Sequence, residues 1–248
     1  MTVENYKDFH ANVIKVVQPF ILSSIEKDRE GFREVIISTI ENSKASRSFP
    51  QFTRRDEVFA RRFFLEFDEI VTSLLCMKDI EIYVKRFPYR DAGISGLRYL
   101  KYHIESYLNE IYLFQERVEA FLDFIQKRYR KSLIASRVNI TAKNIRVLVK
   151  SSLQNVILIR GDHVHSRRYT DDDLDRLIFL EEMKKSEPES FASLYEFEYK
   201  QVRKKWVKTI QTNNLAIEQL LNTICKELNS VLFDDDGQII YAETREGL

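Results

Sequence analysis

Glycine and proline are unusually scarce in this chain. Six glycines and four prolines occur in 248 residues, whereas average usage would give roughly 30 of the two together. Sheets and barrels need many tight turns, and tight turns depend on these two residues. Glutamate, lysine, arginine and leucine are plentiful instead. The sequence therefore predicts an all-α fold with long helices and few connections.

Apolar residues recur at helical spacing through most of the chain, which predicts several long helices. Interruptions are expected near Pro19, near Gly31 and at Asn213-Asn214, and the predicted helix that opens at Thr141 should end at Gly161. The helices predicted from this pattern cover residues 5–44, 54–85, 97–130, 141–160, 170 onward and 188–232, with a short strand over 238–241.

The segment from Asp91 to Gly96, which contains two glycines, is the best candidate for a domain boundary. We therefore predict three parts: an N-terminal helical extension over residues 1–90, a helical bundle over 97–232 and a C-terminal tail over 233–248.

Positive charge is concentrated in one segment, although the formal net charge of the chain is only +1. Between Gln126 and Arg168 the single acid is Asp162. A local excess of this size predicts a polyanionic partner, and the alternative is that the cations are spread over solvated helix faces. The eleven cations of the segment are Lys127, Arg128, Arg130, Lys131, Arg137, Lys143, Arg146, Lys150, Arg160, Arg167 and Arg168.

The sequence favours a cytoplasmic protein. Residues 1–10 lack the basic-then-apolar pattern of a secretion signal. The sequence contains no run of about 18 apolar residues, the length that a membrane-spanning helix needs, so no membrane span is predicted. Cys76 and Cys225 lie in apolar helical stretches, so we interpret them as buried free thiols in a reducing compartment.

A short segment with one arginine and two histidines, Arg160-Gly-Asp-His-Val-His165, is the strongest functional lead. Arg160 continues the inward apolar stripe of its predicted helix, so it is either buried with a partner or points into a cleft. Histidine titrates near neutrality and suits general acid or base work. Arginine offers a forked donor set that matches phosphate oxygens. This combination predicts RNA phosphodiester chemistry without a metal or another cofactor.

This segment resembles the motif of the HEPN superfamily (higher eukaryotes and prokaryotes nucleotide-binding), an arginine followed after four to six residues by a histidine at the end of a long apolar helix. The resemblance covers about residues 97–232 and implies an up-and-down helical bundle, here with an additional N-terminal helical region. Many members are metal-independent endoribonucleases whose motifs meet across a homodimer interface. Others serve as RNA-binding or protein-interaction modules. Family members usually carry a polar residue directly after the arginine, where this chain has Gly161.

The resemblance implies a role for each residue. His165 would act as general acid or base at the ribose 2′-hydroxyl or the leaving 5′-oxygen, and Arg160 would stabilise charge on the scissile phosphate. Two neighbours would be auxiliary groups, His163 and Asp162. Four cations would bind the RNA backbone: Arg146, Lys150, Arg167 and Arg168.

The same residue types allow other interpretations. A second arginine–histidine match, Arg98 to His103, lies within uninterrupted helical sequence. A separation of five residues places its two side chains on different faces of the helix. His163 and His165 could form a metal pair, but no third and fourth ligand occurs at suitable spacing.

Two functions without catalysis remain open. The first is a helical interaction or regulatory module, of the defence or toxin–antitoxin type, that uses its core to bind RNA or a protein partner. The second is a scaffold in which the Arg160 charge is neutralised by Glu105, Glu110 or Glu116.

Overall fold

The fold consists of long helices with short connections, and we describe it from a computed structural model. The structure describes residues 5–37, 54–86, 93–165 and 169–241. These ranges contain six helices and no strand, which confirms the predicted all-α fold. The helices are α1 (Asn5–Ile37), α2 (Arg54–Lys85), α3 (Gly96–Tyr129), α4 (Ala135–His165), α5 (Asp172–Ser186) and α6 (Pro188–Leu232).

Several helices continue through residues where interruptions were predicted. Helix α1 includes Pro19 and runs on to Ile37. Helix α6 passes through Asn214, whose buried side chain accepts a hydrogen bond from the Tyr107 hydroxyl at 3.0 Å. Asparagine weakens an isolated helix by competing for backbone hydrogen bonds. Here its amide is occupied by tertiary partners, so the local preference is overridden.

Helix α4 is longer than predicted at both ends. It begins at Ala135 rather than Thr141, and Thr141 lies buried inside it. It ends at His165 rather than Arg160, so Gly161 does not break it. Glycine in a helix interior costs only about 1 kcal/mol relative to alanine, which the packing of the rest of a long helix can offset.

The chain forms two compact units, each made of segments that are distant in sequence. Unit 1 comprises Met1–Asp68, Asp123–Ala142 and Asn222–Leu248, and unit 2 comprises Glu69–Leu122 and Lys143–Leu221. Four helices (α2, α3, α4 and α6) contribute a segment to each unit. This grouping differs from the predicted parts 1–90, 97–232 and 233–248, because it depends on which distant segments pack together.

Unit 1 has an aromatic core built around Phe9 of α1. The Phe9 ring lies 4.8 Å from that of Phe67 and 5.6 Å from that of Phe233, both in edge-to-face geometry. The Phe63 ring also packs against Phe9, with 6.2 Å between the ring centroids. Edge-to-face pairs align the positive edge of one ring with the negative face of another. The core therefore ties α1 to α2 and to the residue that follows α6.

A tight turn after α6 also belongs to unit 1. Ile239 forms an isolated bridge with Phe233, so the predicted strand over 238–241 is reduced to this single pair. Gly237 has a φ of 71°, in the left-handed region that favours glycine. A Cβ built there would lie 2.8 Å from Oδ1 of Asn12 on α1, so both conformation and space require glycine.

Unit 2 contains a polar network between α2, α3 and α6. Asn214 donates from Nδ2 to Glu81 Oε2 at 3.2 Å, and Glu81 Oε1 accepts from Gln211 at 3.0 Å and from Lys85 at 2.7 Å. These donors lower the pKa of the Glu81 carboxyl against the opposing effect of burial. The Tyr107 hydroxyl completes the network, and burial raises its pKa. Because each member is hydrogen-bonded, the network fixes the register of the three helices.

Helix α5 begins at a side-chain cap. The Asp171 carboxylate accepts a hydrogen bond from the Leu174 backbone N–H at 2.8 Å, so Asp171 is the N-cap residue. Ion pairs then join α5 to α6, including Arg176 with Glu198 at 2.8 Å.

Two further predictions concern the membrane and the cysteines. None of the helices in the described ranges combines the length and the apolar content that a bilayer crossing requires. Cys76 and Cys225 are both free thiols; Cys225 is fully buried and Cys76 half-buried. Burial raises the pKa of the Cys76 thiol, which disfavours its reactive thiolate form.

Candidate nucleic-acid interface

The arginine–histidine segment forms the last turns of α4. The backbone is helical through Arg160, Gly161, Asp162, His163 and His165, while the side chains of these residues lie outside the described part of the structure. The predicted RNA-binding residues Arg167 and Arg168 also lie outside it. What the structure gives for this segment is the place of each position around the helix axis.

Position 160 lies on the buried side of α4. It follows Val149 and Leu153, both buried in the core of unit 2, at spacings of eleven and seven residues. Residues at these spacings share one side of an α-helix. The backbone therefore agrees with the prediction that Arg160 continues the inward stripe.

Position 165 lies on a different side of the same helix. Lys143, Lys150 and Gln154 form an exposed row on α4, and continuing this row by seven and then four residues leads through Gly161 to His165. Five residues of regular helix rotate the chain by about 140° relative to position 160. Within one chain, the uninterrupted helix therefore separates the two positions.

The two described RNA-binding candidates differ in their environment. Arg146 donates from Nε to Glu119 Oε2 of α3 at 2.7 Å and is half-buried, so part of its charge is already balanced. Lys150 is exposed and forms no ion pair with any described residue. Of the two, Lys150 is the side chain that is open to a phosphate.

The basic segment divides between the two units. In unit 1, Arg128 pairs with Asp56 at 3.0 Å, and Arg137 donates to the Ser230 carbonyl at 3.0 Å. The remaining cations of the segment in unit 1 are exposed and pair with no described carboxylate: Lys127, Arg130 and Lys131. In unit 2, Lys143 and Lys150 are likewise exposed and pair with no described carboxylate. Most of the described charge of the segment is therefore free to attract an anion.

Two contacts set the antiparallel register of α3 and α4. Gln126 bonds to Asn139 at 2.8 Å, and Glu119 pairs with Arg146. Moving seven residues toward the N-terminus of α3, from Gln126 to Glu119, thus matches moving seven residues toward the C-terminus of α4, from Asn139 to Arg146. Continued for two further steps of seven, this register predicts Glu105 opposite position 160. Glu105 is half-buried, and its Oε1 atom is buried without a hydrogen-bond partner among the described residues, whereas a buried carboxylate oxygen usually has one.

The structure also reveals a group of side chains that sequence reasoning set aside. His103 of α3 lies among three tyrosine rings, with centroid distances of 4.3 Å to Tyr99, 5.2 Å to Tyr102 and 5.4 Å to Tyr83 of α2. Burial lowers the pKa of His103, which favours the uncharged form of its ring. In the sequence, the only local indication of this cluster is the close spacing of Tyr99, Tyr102 and His103 near the start of α3. The contribution of Tyr83 depends on the pairing of α2 with α3, which no local pattern reveals.

No group of three or more histidine, cysteine, aspartate or glutamate side chains in the described ranges is arranged to hold a metal ion. Comparison with known proteins adds no relative: no family model matches the chain, and no curated protein and no solved structure is significantly similar to it.

Proposed function

We propose that this protein is a homodimeric HEPN-type RNA-binding protein with metal-independent endoribonuclease activity. The observation that supports this most directly is the exposed row of α4, in which Lys143 and Lys150 lead to the position of His165. A row of cations along one helix can follow the phosphates of an RNA strand. It would deliver the strand to an imidazole at the end of the helix.

The chemistry is an internal phosphoryl transfer. The ribose 2′-oxygen bonds to phosphorus while the bond from phosphorus to the 5′-oxygen breaks. One proton leaves the 2′-hydroxyl, and one proton is added to the leaving 5′-oxygen. His165 accepts the first proton or supplies the second, and Arg160 stabilises the charge on the phosphate. Asp162 and His163 are auxiliary, and Arg146, Lys150, Arg167 and Arg168 guide the RNA backbone.

The course of the helix supports the proposed homodimer. Helix α4 separates positions 160 and 165 by about 140° around its axis, which disfavours a site built from both positions of one chain. In a two-fold dimer the arginine of one protomer and the histidine of its partner can meet. A cytoplasmic RNA, such as a target of a defence or toxin–antitoxin system, is the proposed substrate class.

RNA binding is tested by neutralising the exposed row. The double variant Lys143→Gln/Lys150→Gln is expected to bind single-stranded RNA about tenfold more weakly at moderate salt. The slope of log K against log salt concentration is negative, and its magnitude should fall by about 1.4, since each lost phosphate contact removes about 0.7. Fluorescence anisotropy with a labelled oligonucleotide over a salt series measures both quantities.

The matched control is Lys204→Gln/Lys208→Gln, which removes two exposed lysines from α6 of the same unit. It should leave the slope unchanged. An equal loss in both double variants would mean that RNA responds to net charge alone and that the α4 row is not the interface.

The second candidate is a non-catalytic interaction module, and the place of Glu105 favours it. If the half-buried Glu105 is the partner of Arg160, the guanidinium is held against the bundle and does not reach a phosphate. Such a protein would bind RNA or a protein partner with salt-dependent affinity but without turnover.

A double-mutant cycle separates these two candidates. For the structural ion pair, Glu105→Gln and Arg160→Gln should show a coupling of about 0.5–3 kcal/mol in the free energy of unfolding. Glu119→Gln and Arg146→Gln provide a reference, since that pair is in contact at 2.7 Å in the same helix register. Additivity of the Glu105 and Arg160 variants, with coupling in the reference pair, would leave Arg160 available for the scissile phosphate.

A further inference from the structure

The aromatic patch formed by Tyr83, Tyr99, Tyr102 and His103 is open to solvent on one side. The Tyr102 side chain is 65% exposed and that of Tyr83 is 46% exposed. Tyr99 and His103 lie beneath them, and the Tyr99 hydroxyl donates to the Tyr83 carbonyl at 3.3 Å. The two exposed rings are thus held on a base of packed aromatic groups that belongs to the end of α2 and the start of α3.

Rings held in this way can stack with little loss of conformational freedom. His103 contacts Tyr83, Tyr99 and Tyr102, so it fixes rings from two helices relative to each other. An isolated surface tyrosine must lose side-chain entropy when it binds a ligand. A ring that is already packed on its neighbour loses less, and such pre-organisation strengthens binding.

The charges around the patch favour an anionic ligand. Arg98 lies one helical turn before Tyr102, Lys101 lies next to it, and Arg86 lies three residues after Tyr83. None of the three forms an ion pair with a described residue, and Arg86 and Arg98 are exposed. Two acids lie within a turn on the same helices, Asp79 and Glu105, and Glu81 already pairs with Lys85. Asp79 is exposed and Glu105 half-buried, so three cations that pair with no described residue stand against these two acids.

We propose that the aromatic patch is a stacking site for an unpaired base of single-stranded RNA, with Tyr102 and Tyr83 contacting the base and Arg86, Arg98 and Lys101 contacting the adjacent phosphates. Exposed aromatic faces flanked by cations are the usual means by which proteins bind single strands without strict sequence preference. Base-paired RNA keeps its bases stacked within the helix and would not use the site. This inference rests on the proposed RNA binding and names the form of RNA that binds.

The test uses the full chain and a single-stranded RNA oligonucleotide that carries the fluorescent base 2-aminopurine. Stacking of this base on Tyr102 should quench its fluorescence on binding. Tyr102→Leu is expected to weaken binding about tenfold and to abolish the quenching. Tyr102→Phe keeps the ring and should retain both. The matched control is Phe179→Leu, because Phe179 on α5 has a nearly equal exposure of 62% and forms no ring contact with a described residue.

The outcomes separate this inference from the proposed function. If Tyr102→Leu binds and quenches like the wild type while the Lys143→Gln/Lys150→Gln variant binds weakly, the stacking site is wrong and RNA binding stands. If Phe179→Leu weakens binding as much as Tyr102→Leu, the effect is not specific to the patch and the inference is also wrong. If wild-type protein binds neither single-stranded nor duplex RNA, the proposed function itself fails. Equal loss of duplex and single-strand affinity in Tyr102→Leu would contradict the preference for unpaired bases.

Discussion

Replacing His165 with alanine is expected to lower the rate of RNA cleavage by about 10²- to 10⁴-fold, the usual contribution of a positioned general acid or base. Arg160→Ala should cause a loss of about 10²- to 10³-fold, as expected when a donor to a developing phosphate charge is removed. Both rates should be measured at saturating RNA and in EDTA, so that weaker binding and metal-dependent contaminants do not contribute.

Two variants control for this experiment. His163→Ala removes a histidine from the same turn of α4 and is expected to cause a much smaller loss. Lys143→Gln/Lys150→Gln should alter the RNA concentration needed for half-maximal rate more than the maximal rate. Cleavage that survives both His165→Ala and Arg160→Ala would exclude these residues as the site, and a wild-type protein that cleaves no RNA would support the non-catalytic module.

The same two variants test whether the site is shared between protomers. Mixing His165→Ala and Arg160→Ala chains under conditions of subunit exchange produces heterodimers in which one of the two shared sites keeps both groups. Random exchange should restore about a quarter of the wild-type rate for a two-fold dimer. A site contained within one chain gives no recovery, because each chain lacks one of the groups.

The largest effect on stability is expected for Phe9→Ala. Phe9 is fully buried in unit 1 and contacts the rings of Phe63, Phe67 and Phe233. Removing a buried phenylalanine ring costs about 3–5 kcal/mol, from lost burial and from the cavity that remains. For a protein of this size, that corresponds to a fall in the thermal midpoint of roughly 10 °C.

The measurement can distinguish the units because Trp206, the single tryptophan, lies in unit 2. Circular dichroism follows helix loss in both units, whereas tryptophan fluorescence follows unit 2. A shift in both signals for Phe9→Ala would show that the units unfold together, and a shift in circular dichroism alone would show that unit 1 unfolds separately. The control is Phe179→Ala, an exposed ring whose removal should change the free energy of unfolding by less than about 0.5 kcal/mol. A similar loss in both variants would contradict the assigned role of the Phe9 core.

Much of the secondary structure could be predicted from the sequence, because helix formation follows local composition and periodicity. The bounds of α2 agree with the predicted residues 54–85, and the absence of strands in the described ranges follows from the scarcity of turn residues. Predictions based on single helix-weakening residues were less accurate. Asn214 continues a helix because Tyr107 and Glu81 occupy its amide, and these partners are distant in sequence.

The candidate site could be predicted only in part, for the same reason. The motif and the excess of cations are local properties and are visible in the sequence. The pairing of Arg146 with Glu119, the place of Glu105 opposite position 160 and the contact of Tyr83 with His103 depend on the register of neighbouring helices. The sequence suggested that this helix ends at Gly161, whereas it continues to His165 and places the two positions about 140° apart around its axis.

The way the chain alternates between the two units has a consequence for how this protein can be divided. Unit 1 is assembled from three stretches of chain and unit 2 from two. No single deletion from either end leaves one unit whole and removes the other, and one proteolytic cut cannot release an intact unit. Each unit could be expressed alone only after its stretches were rejoined by new linkers. By the same logic, no contiguous gene fragment encodes one whole unit without part of the other, so the two are expected to be inherited as one block.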